Sequence, residues 1–246
     1  MASETALPVF SEQQALEHIL RHHAGADGWI TLSRREGGRY KQYHYRVDQL
    51  AEVIPEWIGP DVYFSQNTFY KPARKIEHIR QLRALYVDVD CYLLNFDPEW
   101  VIASMTMELF RTKMPEPNFI IFSGRGLVLV WLIEPVPPQA LPLWQAVENY
   151  LVRQLRAFGG DVKASDAARI LRLAGTVNSK SHEPVFVQYR HSERHVLRDI
   201  EREYLGVCVA MEQKTGISDP VCVCLLMGCS SVTSRSYRKF HQQNIK

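Results

Sequence analysis

The sequence predicts an α+β fold, because segments with the apolar period of helices and segments with strand-like alternation are mixed along the chain. Its 246 residues are 46% apolar and 23% charged, as in an ordinary globular protein. The sequence contains no internal repeat and no low-complexity linker. This length suits one large domain or two small ones.

Helices are predicted where apolar residues recur at helical spacing, and strands where they alternate or run continuously. The predicted helices are 11–23, capped by Ser11; the basic segment 71–83; 97–114, opened by Asp97 and Pro98; and 141–158. The predicted strands lie in a hairpin over 29–47 that turns at Gly37 and Gly38, and in 60–69, 83–92, 117–136 and 184–192.

Cysteine content indicates a cytoplasmic protein. The 5 cysteines are odd in number, which fits a reducing compartment better than a disulfide framework. The formal net charge is only +2, so the charge of the whole chain does not indicate a polyanion partner. No signal peptide is recognisable, and no apolar stretch reaches the roughly 18 to 20 residues of a membrane span, so no membrane partner is expected. His18 and His22 lie at a spacing that suits a metal, but without a third ligand nearby we expect surface histidines.

The strand over 83–92 ends in a pair of carboxylates. Asp88 and Asp90 alternate along the strand, so their side chains share a face and repel each other. A polar end of an edge strand would account for them, but a divalent cation would also relieve the repulsion, and Mg²⁺ or Mn²⁺ prefers carboxylate oxygens.

A glycine-rich turn interrupts the apolar stretch over 117–136. Ser123, Gly124, Arg125 and Gly126 read as a hairpin turn, whose exposed N–H groups and central guanidinium would also suit a phosphate.

The segment 159–180 holds further polar candidates. Asp161 follows a double glycine, whereas Asp166, Arg169 and Arg172 recur every three residues and are predicted on one face of a short helix. Asp166 and Arg169 would also fit a structural ion pair. The remaining candidates for contact with an anion, beside Arg172, are Asn178 and Lys180.

Taken in order, these segments resemble the catalytic core of the archaeo-eukaryotic primase superfamily. The nearest branch is the RepB-like replication primases of plasmids and mobile elements. That superfamily has a DxD strand, a Ser-Gly hairpin that usually ends in histidine, and a third acid ahead of an RxxR segment. The resemblance covers roughly residues 60–190, including the segment 63–75 with Asn67.

The resemblance implies a primase-polymerase catalytic core, a mixed or antiparallel sheet flanked by helices. It also implies primer synthesis on single-stranded DNA by two-metal nucleotidyl transfer, in replication of a plasmid or integrative element. The implied partners are the DNA template, NTPs or dNTPs, and a replicative helicase.

The implied catalytic and metal-binding residues are Asp88, Asp90 and Asp161, with Mg²⁺ or Mn²⁺. The implied nucleotide-binding residues are Ser123, Gly124, Arg125, Gly126, Arg172 and Lys180. Residues of secondary importance are Asp166, Arg169, Asn178 and Asn67.

Two departures from the family pattern leave other functions open. Val128, or Leu129 if the turn is counted one residue longer, stands where the histidine is usual, and Ala174 replaces a usual proline. A catalytically impaired DNA-binding replication initiator and a metal-dependent nuclease are the alternatives.

The expected domain organisation is a catalytic domain over 1–205, with a helical and hairpin part over 1–58 and the core motifs over 60–190. The tail 206–246 is unassigned, and we expect it to stop early or to end in altered sequence.

Overall fold

Antiparallel sheets and α-helices make up residues 10–206, the part of the chain that this computed structural model describes. The helices are α1 (Glu12–His22), α2 (Leu50–Trp57), α3 (Pro98–Glu108), α4 (Leu141–Gln154) and α5 (Leu197–Ile200). The strands are β1 (Ile30–Glu36), β2 (Arg39–Tyr45), β3 (Val62–Ser65), β4 (Thr68–Phe69), β5 (Ile79–Val89), β6 (Phe119–Phe122), β7 (Leu127–Val136), β8 (Ile170–Arg172), β9 (Val177–Asn178), β10 (Glu183–Pro184) and β11 (Phe186–Tyr189). All of these elements lie in one compact unit that ends at Glu201.

The first sheet has four strands in the order β2-β1-β3-β8, and every neighbouring pair is antiparallel. One of its faces packs against α1 and α2. The residues of this core are fully or largely buried and include Ala15, Ile19, Ile30, Leu32, Leu50, Ile54 and Phe64. The other face carries Tyr63, which is paired in register with Arg172 of β8.

The second sheet has five strands in the order β11-β6-β7-β5-β4, again all antiparallel. Helix α4 packs on β5, where the indole N–H of Trp144 donates to the carbonyl of Ala84 at 2.8 Å. The predicted α+β class, with antiparallel sheets flanked by helices, is confirmed.

Two predicted helix starts agree with the structure. The Ser11 hydroxyl accepts a hydrogen bond from the N–H of Gln14 at 3.3 Å. The Asp97 carboxylate accepts hydrogen bonds from two N–H groups of the first turn of α3. Pro98 occupies the first position of the helix, where no N–H donor is needed.

The prediction of a basic helix over 71–83 is wrong. The segment contains one 3-10 turn, Ile76–His78, and β5 begins at Ile79. Arg83 sits at an irregularity of the strand register, which turns its side chain into the interior. There its guanidinium donates to the carbonyl of Ala24 at 2.5 Å. The basic segment is thus divided between a 3-10 turn and the start of β5.

The helical prediction for 166–172 is also wrong. Ile170–Arg172 forms β8, because its backbone pairs with β3 and Leu171 is buried between the partly exposed Ile170 and Arg172.

The histidines of α1 are buried, contrary to the surface position that we expected for His18 and His22. Both rings make edge contacts with Phe64, at centroid distances of 5.0 and 5.1 Å. His22 also donates to the carbonyl of Gln66, and the adjacent His23 donates to that of Ser65. These backbone acceptors allow polar rings to be placed in the core.

Within residues 10–206, no helix combines the length and apolar character needed to cross a bilayer. Apart from Gly206 itself, the predicted tail lies outside the described residues.

Candidate active site

A cleft of about 580 Å³ is lined by residues from both sheets. Its carboxylates are Asp88, Asp90 and Asp166. Its cationic side chains are Arg74, Arg125, Arg169, Arg172 and Lys180. Because the cations outnumber the carboxylates, the cleft suits an anion together with a cation held by the carboxylates.

The two aspartates of the DxD segment lie at the end of β5. Burial, with the neighbouring Asp90 carboxylate as the next cause, raises the pKa of Asp88 to about 7. Burial and the Asp161 carboxylate raise the pKa of Asp90. Each carboxylate therefore lacks enough positive charge nearby, and a divalent cation between them would supply it.

Asp161 is brought to this pair by its backbone. Its N–H donates to the carbonyl of Asp88 at 2.8 Å, and its carboxylate accepts from the N–H of Lys163 at 2.9 Å. Its charge contributes to the raised pKa of both Asp88 and Asp90, although it does not line the cleft. Among residues 10–206, no three His, Cys, Asp or Glu side chains are gathered as a ready metal site. The residues that fit a cation in this arrangement are Asp88 and Asp90.

The glycine-rich turn packs directly against this carboxylate strand. A Cβ on Gly126 would lie 2.5 Å from the carbonyl oxygen of Val89, so only glycine allows the close approach. Gly124 has a φ of +92°, and a Cβ there would meet the Ser181 hydroxyl at 2.6 Å. The turn thereby places Arg125 at its exposed tip, where its guanidinium donates to the carbonyl of Lys180 at 2.8 Å.

Arg172 lines the cleft but is held by protein partners. Its guanidinium donates to Asp61 at 2.6 Å and to the side-chain oxygen of Asn178 at 2.9 Å, and lies 4.8 Å from the Tyr63 ring centroid. Burial opposes the charge of Asp61, but hydrogen bonds from Ser179 and Arg172 outweigh it and lower the pKa of that carboxyl. Arg172 is therefore already in an ion pair with a buried carboxylate.

Asn178 joins the separate parts of the site. Its side-chain oxygen accepts from Arg172 and from the N–H of Lys180, whereas its NH₂ group donates to the carbonyl of Ser123 at 2.7 Å. One amide thus links β8, the loop after β9 and the glycine-rich turn.

The remaining predicted residues differ in position. Asp166 and Arg169 line the cleft and approach each other at 3.9 Å, which agrees with an ion pair, although they precede a strand. Asn67 is fully buried away from the cleft. It accepts from the N–H of Arg83 at 2.7 Å and donates to the carbonyl of Ala167 at 2.9 Å, so its contacts are structural.

Sequence analysis missed several residues of the site. Asp61, with a left-handed φ of +52°, is the buried partner of Arg172. Tyr40, Tyr63 and Arg74 also line the cleft. The alternation of the predicted hairpin could have indicated which face of the strand Tyr40 lies on. Nothing local in the sequence indicates that Asp61 pairs with an arginine more than a hundred residues later.

The strand register distinguishes Val128 from Leu129, the two positions considered for the histidine. Val128 lies opposite Asp88 and lines the cleft, whereas the fully buried Leu129 lies opposite Val87. Of the two positions considered for that histidine, Val128 is thus the one that shares the cleft with Asp88, and its side chain is aliphatic.

Comparison with known sequences finds a replication protein. No protein-family model matches the chain. The sequence is 39% identical over 194 residues to a "Replication protein" of Clostridium perfringens, covering 79% of this chain and 47% of that protein. The chain thus spans about half the length of the curated relative that it matches.

Two solved structures with a similar fold are a primase-polymerase domain and a primase domain. The AEP domain of the cyanophage S-2L primase-polymerase has a TM-score of 0.57 at 17% identity, over 79% of this chain and 98% of that domain. The catalytic domain of primase RepB′ in complex with initiator DNA has a TM-score of 0.51 at 15% identity, over 85% of this chain and 99% of that one. These neighbours confirm the resemblance at the level of the fold. The chain therefore has the fold of an archaeo-eukaryotic primase catalytic domain, and its sequence relative is a replication protein.

Proposed function

We propose that this chain is the catalytic domain of a DNA primase or primase-polymerase that synthesises primers on single-stranded DNA. The observation that carries the proposal is the shared cleft of Asp88, Asp90 and the Ser123–Gly126 turn, with cationic side chains around it. The names of the sequence relative and of the structural neighbours support a role in replication, here of a plasmid or integrative mobile element.

Asp88 and Asp90 would hold Mg²⁺ or Mn²⁺, and Asp161 would complete the carboxylate set. When bound, two such ions lower the pKa of a 3′-hydroxyl and stabilise the pyrophosphate that leaves. The chain contributes negative charge at the end of β5 and positive charge from the cationic side chains of the same cleft, which complement the metal ions and the triphosphate respectively.

The reaction is an in-line transfer at the α-phosphate. The 3′-oxygen of the primer, or of the first nucleotide, forms a bond to the α-phosphorus. The bond from that phosphorus to the oxygen bridging to the β-phosphate breaks, pyrophosphate leaves, and the hydroxyl proton passes to water. Arg125, Lys180 and the N–H groups of the turn would orient the triphosphate, since this chemistry needs positioning and charge neutralisation more than covalent help.

The proposed partners are single-stranded DNA, an NTP or dNTP, and a replicative helicase. One structural neighbour is bound to initiator DNA, which supports a DNA template here. The proposed compartment is the cytoplasm, where a plasmid is replicated.

Val128 favours a second candidate, a DNA-binding replication initiator with weak or no catalysis. The family's usual histidine is thought to touch the nucleotide phosphates, and a valine cannot do so. A metal-dependent nuclease would use the same carboxylates, but no histidine lines the described cleft to act as a general base.

One set of assays separates these functions. The full chain is incubated with single-stranded DNA, labelled nucleotides and Mn²⁺, and the products are resolved on a gel. Labelled DNA without nucleotides is incubated in parallel. New primers support the proposal, whereas shortened DNA alone indicates a nuclease. DNA binding without either product indicates the initiator.

A further inference from the structure

Tyr40 is an exposed aromatic side chain on the wall of the cleft. It lies on β2, the edge strand of the first sheet, and half of its surface (50%) is exposed. Neither the carboxylate pair nor the glycine-rich turn contacts it through any hydrogen bond, and the reaction proposed above gives it no role.

The alternation of β2 separates two faces. Tyr40, Gln42 and His44 point towards the cleft side, where Gln42 accepts a hydrogen bond from Arg74 at 3.3 Å. Tyr43 is exposed to a similar degree, 54%, but points to the opposite face and contacts Trp57 of α2 at 5.7 Å. Two tyrosines of one strand thus differ in the face that they present.

The ring of Tyr40 is held in place from behind. It makes an edge contact with Tyr63, at a centroid distance of 5.5 Å and an interplanar angle of 73°. Tyr63 in turn lies under the guanidinium of Arg172. A ring that is supported on one side and exposed over half of its surface is a preorganised platform for a flat ligand.

An arginine that forms no ion pair among residues 10–206 lies beside this platform. Arg74 is half-buried and donates to the carbonyl of Ala168 at 2.5 Å and to Gln42. The Asp166 carboxylate is near enough to interact electrostatically with Arg74, but the ion pair that Asp166 forms is with Arg169. Among residues 10–206, no carboxylate lies at ion-pair distance from the Arg74 guanidinium, so a phosphate next to Tyr40 could pair with it.

We propose that Tyr40 stacks on a nucleobase, with Arg74 close to the adjoining phosphate. This inference rests on the proposed function. The base belongs either to the template strand or to the incoming nucleotide, and both present the same chemistry: a flat aromatic ring attached to a phosphate. Aromatic platforms next to cationic grooves are how proteins hold single strands without regard to sequence.

The test is a set of binding measurements on the full chain, made without catalysis. The probes are a fluorescent oligo(dT), the same strand with abasic sites, a non-hydrolysable dNTP and inorganic tripolyphosphate. The proteins are the wild type, Tyr40→Ala, Tyr40→Phe and, as a matched control from the other face, Tyr43→Ala.

Tyr40→Ala should weaken binding of the base-containing probe roughly five- to a hundredfold, as expected for the loss of one stacked base. Tyr40→Phe and Tyr43→Ala should stay within about twofold of the wild type, since Phe retains the ring. Abasic DNA and tripolyphosphate should bind Tyr40→Ala and the wild type equally. A loss confined to oligo(dT) assigns the base to the template, and a loss confined to the dNTP assigns it to the nucleotide.

Unchanged binding of both base-containing probes by Tyr40→Ala would overturn the inference, as would an equal loss on the abasic strand. If primers are still made in either case, only the stacking inference fails. A wild-type chain that binds neither DNA nor nucleotide would overturn the proposed function as well.

Discussion

Arg125 and Arg172 both line the cleft, but their surroundings predict different roles. Arg125 is exposed and contacts only a carbonyl among the described residues, so its charge is available to a triphosphate. Arg125→Ala should raise the KM for nucleotide by roughly ten- to a hundredfold, which corresponds to a lost charge-assisted contact of about 1.5–3 kcal/mol. Nucleotide titration beside a DNA-binding measurement checks this. A collapse of template affinity at unchanged KM would mean that Arg125 holds DNA instead.

Arg172 should matter more for stability, because it neutralises a buried carboxylate. The side chains of Arg172 and Asp61 are only 11% and 7% exposed. Arg172→Ala leaves the buried Asp61 with its hydrogen bonds from Ser179 but without a cationic partner, and should cost up to about 3–5 kcal/mol of unfolding free energy. The double variant Asp61→Asn with Arg172→Ala should recover part of that loss in urea denaturation. Equal stability of Arg172→Ala and the wild type would show that Arg172 is free to bind nucleotide.

Asp161 and Asp166 are alternative third carboxylates. Asp161 lies close enough to influence both Asp88 and Asp90, whereas Asp166 approaches Arg169 and accepts from the N–H of Ala168. We expect Asp161→Ala to abolish metal-dependent transfer and Asp166→Ala to lower mainly stability or nucleotide affinity. A Mn²⁺ titration of transfer activity compares the two variants. The reverse pattern would move the third carboxylate to Asp166.

At the scale of elements, the glycine-rich turn sets the position of the carboxylate strand. Gly126→Ala would push a Cβ against the Val89 carbonyl, so the end of β5 with Asp88 and Asp90 must shift. We expect a loss of about 1–3 kcal/mol in stability and a lower kcat. Gly59→Ala is the matched control, because its Cβ would meet only the Arg34 guanidinium at an ordinary 3.9 Å. Thermal melts and transfer rates check both, and a Gly126→Ala enzyme as active as Gly59→Ala would refute the packing argument.

Local pattern was informative where a capping residue, a proline or a glycine-rich turn marks the end of an element. The cap of α1 at Ser11, the start of α3 and the hairpin β6–β7 were all predicted from sequence. The first residues of β5 and the whole of β8 were mistaken for parts of helices, because the polar and apolar residues of these short stretches also fit helical spacing. Both segments form strands because they pair with strands that are distant in the sequence.

The site was predictable to a similar extent. Ordered motifs indicated the carboxylates and the glycine-rich turn, since each is a local departure from an apolar pattern. The contacts that hold them, such as Asp61 with Arg172 and Asn178 with Ser123, join residues from separate elements. No local spacing encodes such contacts, so only the fold reveals that Arg172 is already paired.

At the scale of the whole molecule, three buried histidines predict acid sensitivity. Burial lowers the pKa of His18 and of His23 to about 3, and that of His22 well below its usual range. Below pH ~6.5 the unfolded chain binds protons that the folded chain does not, so stability falls as pH decreases from there towards 3. Each histidine can contribute up to about 1.4 kcal/mol per pH unit.

The contribution of His18 can be isolated by urea denaturation between pH 7.5 and 5. His18→Asn keeps an acceptor for the N–H of Ala174 and removes one titration, so its stability should decline less steeply than that of the wild type. His182→Asn is the control, because His182 is exposed and its left-handed backbone suits asparagine. Equal slopes in all three proteins would show that the buried histidines do not govern acid stability.

The central claim is that the carboxylates of β5 support nucleotidyl transfer, and Asp88→Asn tests it most directly. Primer synthesis on single-stranded DNA with labelled nucleotides and Mn²⁺ is compared between this variant and the wild type. The substituted amide would keep the shape of the side chain and remove the repulsion with Asp90, so Tm without divalent cations should hold or rise. We predict primers from the wild type and none from a folded Asp88→Asn protein. Transfer by Asp88→Asn at a rate near that of the wild type would contradict the account.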